Sequence, residues 1–162
     1  MNRIAWLLFL GLSLAACRST LTGNSGNFKF TYVADDDIAN FNKPIAVGAK
    51  LDVDVVTPSF FSKSVTIDTA EVDSQDIAKI VETSGNTVTV EGVASGSFAL
   101  SVSGAASGEE SASDTVNMLV RVPEVFKMDH SCTSEATGRY LVDQEIWIPF
   151  ELEMDNGQAV IG

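Results

Sequence analysis

Apolar and polar residues alternate with a period of two along most of the chain. In FKFTYV, Phe28, Phe30 and Tyr32 fall on one face and Lys29, Thr31 and Val33 on the other. LDVDVV repeats this, with Leu51, Val53 and Val55 facing inward and Asp52 and Asp54 outward. The same alternation returns at residues 65–67, 77–81, 87–90, 98–102 and 116–122, and Gly, Ser, Asn or Pro separates the runs. Successive side chains of a strand point to opposite sides, so a period of two marks half-buried strands. No window carries an apolar stripe at helical spacing. Seven or so short strands over residues 28–122 predict an all-β chain built on an antiparallel β-sandwich.

Pro123 ends this series, and residues 123–162 read as a second unit. In EIWIPFELEM, Ile146, Ile148, Phe150, Leu152 and Met154 alternate with Trp147, Pro149, Glu151 and Glu153, a strand that tolerates Pro149 at an edge or bulge. Asn156-Gly157 is a hairpin signal, with a return strand at Ala159 to Ile161. About forty residues lie below the size at which a core usually stands alone. The expectation is the start of a second β domain cut short, the alternative being strands that pack on the first domain.

The other end of the chain differs. Met1-Asn2-Arg3 is a short positive start, Ile4 to Leu14 is almost wholly apolar, and Ala15-Ala16 are small, the pattern of an export signal. The apolar run is too short for a spanning helix, which needs about 20 residues. Leu14-Ala15-Ala16-Cys17 resembles the bacterial lipoprotein box. That resemblance implies removal of residues 1–16 and acylation of Cys17, a lipid anchor in the membrane of the bacterial cell envelope. Arg18 is not the aspartate associated with inner-membrane retention, so the resemblance favours the outer membrane. Arg18 to Asn27, rich in Ser, Thr, Gly and Asn, completes a lipidated, flexible tether over residues 17–27, reaching roughly 15–20 Å as a coil.

Ala46 to Pro58, Asp76 to Ile80 and Gly85 to Val102 together resemble the bacterial immunoglobulin-like domain of group 2, known from intimin and invasin. Val88, Val90, Gly92, Gly96, Phe98, Leu100 and Val102 stand at the spacing of that family. The resemblance implies an immunoglobulin-like sandwich in a structural, adhesive or presentation role. The tryptophan usual in the middle of such domains is absent, and Ile67 or Ala70 stands in its place. Gly92 and Gly96 are expected where φ is positive or a Cβ has no room.

Charge narrows the partners. The chain carries 10 basic and 22 acidic residues. Losing Arg3 with the signal leaves 9 against 22, a balance of −13, which disfavours nucleic acid and anionic surfaces. A protein or glycan ligand stays open. Two cysteines, one used for acylation, exclude a disulfide scaffold. His130 and Cys132, with Asp129, offer too few ligands for zinc. Asp35 to Asp37, with Asp52, Asp54, Asp68 and Asp73, lack the ordered loop of a calcium site. Gly104 to Asp114 reads as a flexible solvated connection without Tyr, Trp or Arg to anchor a partner. No catalytic constellation emerges, so the expectation is a non-enzymatic chain without metal or cofactor. Its alternatives are a carbohydrate- or protein-binding envelope subunit, or a spacer for an enzyme domain further along.

Overall fold

The computed structural model describes residues 21–33, 43–128 and 150–162, and among these the chain forms strands and no helix. In chain order the strands are β1 (Leu21–Thr22), β2 (Lys29–Tyr32), β3 (Ile45–Ala46), β4 (Lys50–Val56), β5 (Val65–Val72), β6 (Ala78–Ser84), β7 (Thr87–Gly92), β8 (Gly96–Ala106), β9 (Ala112–Arg121), β10 (Val125–Met128), β11 (Phe150–Glu153) and β12 (Ala159–Val160). One sheet has the order β1-β2-β4-β7-β6 and a second the order β3-β9-β8-β5. Strands β2, β4, β7 and β6 occupy the A, B, E and D positions of a constant-type immunoglobulin domain, and β5, β8 and β9 its C, F and G positions. The fold is an immunoglobulin-like β-sandwich. All pairings within its two sheets are antiparallel except β3 on β9, where Ile45 and Ala46 run beside Val120 and Arg121.

Alternation along the strands builds the core as expected. Phe28, Phe30, Tyr32, Val53, Val55, Val88 and Val90 come from the first sheet, and Val65, Phe98, Leu100, Val102, Val116, Met118 and Val120 face them from the second. Burying each such side chain stabilises by about 1.5–3 kcal/mol, which supplies the driving force for closing the two layers. Strand β5 lacks the tryptophan of this position. Val65, Ile67, Ala70 and Val72 pack on the core there, the last three only half-buried. Gly92 and Gly96 are needed for close approach rather than for positive φ. A Cβ would lie 2.8 Å from the Ala46 carbonyl oxygen at the first and 2.5 Å from Ile77 Cδ1 at the second. The outer strands β5 and β6 each shift register, between Ile67 and Thr69 and between Ile80 and Glu82. Such bulges discourage edge-to-edge pairing with another sheet.

Strands β10, β11 and β12 form a third sheet of their own. The 154–158 hairpin closes with Met154 N–H on the Gln158 carbonyl (2.9 Å), and Gly157 takes φ 78° in the turn. The chain then rejoins the sandwich. Ile161 bridges Ile45, donates its N–H to the Pro44 carbonyl (2.9 Å), accepts from Ala46 N–H (2.7 Å) and enters the main core. Among the described residues of this segment, β10 to β12 thus form a sheet whose C-terminal end docks on the sandwich. Its faces hold a surprise. Glu153 is buried and paired with Lys127, whereas Phe126, Met128 and Phe150, neighbours in register on the other face, are about half exposed. The rings of Phe126 and Phe150 lie 5.1 Å apart on that open side.

Candidate functional site

Three segments meet at one end of the sandwich: the 57–64 loop between β4 and β5, the 107–111 turn between β8 and β9, and the 23–28 turn between β1 and β2. The first carries the largest exposed apolar side chains. Phe60 is 95% exposed and Phe61 83%, their rings in an edge-to-face arrangement at 5.1 Å.

This loop is held, not loose. Thr57 N–H donates to the Lys63 carbonyl (2.9 Å), and Lys63 N–H donates back to Thr57 Oγ1 (3.0 Å). Ser59 Oγ donates to the Phe61 carbonyl (2.7 Å) and Ser62 Oγ to the Ser59 carbonyl (3.2 Å). A bridge between Val56 and Ser64 closes the base, and Lys63 Nζ reaches Glu109 Oε1 of the neighbouring turn at 2.8 Å. Serine and threonine hydroxyls thus do the work of secondary structure, fixing a short loop whose apolar tip faces solvent.

Beside it, Asp114 of β9 organises the 23–28 turn. Asp114 as a residue is 3% exposed. Its Oδ1 accepts from the N–H groups of Ser25 (2.8 Å) and Thr115 (2.8 Å), and its Oδ2 from those of Asn27 (2.7 Å) and Phe28 (2.9 Å). Asn24 N–H on the Thr115 carbonyl (2.8 Å) and Asn27 Nδ2 on the Ser113 carbonyl (2.9 Å) complete the seam. Burial by itself would push the Asp114 carboxyl up. The four backbone donors, Ser25, Phe28, Thr115 and Asn27, outweigh it and hold the group below its ordinary value. Gly23 is required at this contact, because a Cβ there would lie 2.2 Å from Asp114 Cγ.

The clamp shortens the expected tether. Leu21 and Thr22 are β1, paired with Phe30 and Lys29, and residues 23–27 are bound to β9, so only residues 17–20 of the 17–27 stretch lie outside the described residues. Cys17 is among those, as are Asp35 to Asp37, Asp129, His130 and Cys132. The other acidic candidates do not converge. Asp52 and Asp54 accept hydroxyl hydrogen bonds from Thr89 and Thr87 on β7, and Asp73 accepts the N–H of Ala99 (2.8 Å). Among the described residues no three His, Cys, Asp or Glu side chains are grouped to hold a metal ion. A solvent-open groove of about 480 Å³ lies between β5 and β6, lined by Ala70, Glu71, Val72, Gln75, Lys79 and Ile80. Among the described residues no helix is long and apolar enough to cross a membrane.

The sequence reading missed two of these features, although the sequence carries a signal for each. PSFFS sets two phenylalanines among turn residues, where polar side chains are the rule. Asp114 keeps the inward period with Val116, Met118 and Val120, so an acidic residue was placed on a core-facing position. The Gly104 to Asp114 stretch is accordingly mostly strand, with only Ser107 to Ser111 connecting. Nothing in the sequence marked Ser25, Asn27 and Phe28 as the partners of Asp114.

No family model, no curated protein and no solved structure matches this chain.

Proposed function

We propose that this chain is a bacterial envelope lipoprotein, held by acyl groups on Cys17 with the outer membrane as its site, whose immunoglobulin-like domain is a structural, adhesive or presentation module. One observation supports the presentation role above all. The segment nearest Cys17 is stapled to one end of β9, at Asp114 and Thr115, while the C-terminal segment docks beside the other end, through β3 on Val120 and Arg121. Six residue steps along β9 separate Asp114 from Val120, about 20 Å at roughly 3.3 Å per residue. A rigid sandwich fixed in this way carries load and position from an anchored end to a far end. At the far end it offers the open apolar side of the third sheet, Phe126, Met128 and Phe150, which favours a binding role for that sheet as a second reading.

The lipid anchor has a direct test. Cys17→Ser should abolish acylation and move the protein from the detergent phase to the aqueous phase, and the mass of the native mature chain should show the acyl groups. Unchanged detergent partitioning of the variant, or an unmodified Cys17 in the native protein, would remove the proposal.

A further inference from the structure

The turn that closes the third sheet brings an electrophile and a nucleophile together. Asn156-Gly157 is the one Asn-Gly pair in the chain, and Asp155 to Gln158 are exposed. Asn156 Oδ1 accepts the N–H of Gln158 (2.9 Å), a local turn that wraps the side-chain carbonyl around the intervening Gly157 nitrogen. Glycine leaves that nitrogen unshielded, and a Cβ built on Gly157 would meet nothing within 4 Å. The Gly157 N–H is held by the Met154 carbonyl (3.0 Å) in a turn open to water. The other described asparagines lack this setting. The amides after Asn24 and Asn27 are bound to the Asp114 carboxylate, Asn86 precedes the β-branched Thr87, and Asn117 lies within β9 before Met118.

We infer that Asn156 is a site of spontaneous covalent modification, in which its side chain closes on the Gly157 nitrogen and releases ammonia. The Gly157 amide gives its proton to water or hydroxide, and the nitrogen bonds to Asn156 Cγ. Negative charge develops on Oδ1, where the Gln158 N–H already donates, so that N–H serves as an oxyanion donor. The Cγ–Nδ2 bond then breaks, and Nδ2 takes a proton from water and leaves as ammonia. Water opens the resulting cyclic imide. Breakage between Cγ and the Gly157 nitrogen leaves aspartate, and breakage between that nitrogen and the main-chain carbonyl of residue 156 leaves isoaspartate. Water is the only co-reactant.

The product matters because of what this turn holds. Isoaspartate routes the main chain through Cβ and Cγ, adding an atom to a hairpin whose loop sets its register, with Leu152 opposite Val160 and Glu153 opposite Ala159. Directly after β12, Ile161 carries the link to the sandwich, its N–H on the Pro44 carbonyl and its carbonyl on the Ala46 N–H. Isoaspartate formation therefore loosens the hold of the third sheet on the sandwich, whatever anchors the other end of the chain.

Incubating the purified protein in oxygen-18 water, followed by peptide mapping, should place label at residue 156 ahead of Asn24, Asn27, Asn86 and Asn117, with isoaspartate among the products. The same protein unfolded in urea gives the rate of this sequence without its turn. Label first at another of these asparagines, or label at residue 156 only in urea, overturns the site. Ion exchange then separates the isoaspartyl form. Amide exchange at Ala46 and Ile161 should be about fivefold faster in it, the weight of roughly one hydrogen bond, with Val88 and Leu100 unchanged. Asn156→Asp gains the charge but keeps the native backbone, and should leave both amides as protected as before. Unchanged exchange in the isoaspartyl form overturns the loosening. An equal loss in Asn156→Asp overturns the backbone mechanism by assigning the effect to charge.

Discussion

Replacing Asp114 with Asn keeps shape and volume almost unchanged while removing the charge, so its effect isolates the clamp on the 23–28 turn. In the native chain each carboxylate oxygen accepts two backbone N–H groups, from Ser25 and Thr115 on one side and from Asn27 and Phe28 on the other. An amide can satisfy one pair through its oxygen. It must turn its NH2 toward the second pair, donor against donor, in a site that is 3% exposed. A hydrogen bond to a charged group contributes about 1.5–3 kcal/mol. Losing two at the lower figure costs about 3 kcal/mol, and relief from burying a charge offsets part of the remainder. With a urea m value of about 2 kcal/mol/M, the unfolding midpoint should fall by about 1.5 M. Amide hydrogen exchange should show lost protection at Ser25, Asn27 and Phe28 before any change at Val88 or Leu100. A midpoint shift below about 0.5 M, with the turn amides still protected, would refute the assignment of Asp114 as the clamp.

Other consequences follow from the same contacts. Because the folded Asp114 carboxyl is held below its unfolded value of 3.8, its contribution is fully present above that value and is lost as pH falls toward the lower folded one. The stability gap between the native chain and Asp114→Asn should therefore be constant near neutral pH and shrink below about pH 4 in acid unfolding curves. Gly23→Ala places a methyl against the carboxylate and should destabilise by about 1–3 kcal/mol in thermal unfolding. Ile161→Ala, a buried truncation in the main core, should cost about 2–4 kcal/mol in the same unfolding transition as the sandwich. A loss confined to the third sheet, with the sandwich midpoint unmoved, would mean that Ile161 does not tie the two together.

Alternation was enough to read the layers. Period two put Val53 and Val55 inward and grouped Phe28, Phe30 and Tyr32 on one face, and all five are buried, whereas Leu51, assigned inward with Val53 and Val55, is half-buried. This works because a strand's side-chain period is fixed by its backbone and does not depend on which strand lies beside it. The third sheet shows the limit of that rule. Glu153 and Phe150 sit on the faces that alternation assigns, but which face is covered depends on what packs there, and Glu153 is the buried one. The candidate site was not read from the sequence. The sequence reading passed over PSFFS and took Asp114 into a solvated connection, and the hydrogen bonds that make Asp114 significant join residues up to 89 positions apart.

What the sequence by itself determined about this protein is the all-β class, the two faces of strands such as those at residues 28–33 and 51–55, and a cysteine set directly after an export-like leader. Tertiary structure alone decided that Leu21 to Asn27 belong to the folded domain, that Asp114 holds them there, that Phe60 and Phe61 share an end with that seam, and that Ile161 closes the far end. The physical reason is the range of the forces involved. Backbone geometry and hydrophobic periodicity act between near neighbours along the chain, whereas a buried carboxylate's donors and a loop's surroundings are supplied by segments brought together only when the two sheets close.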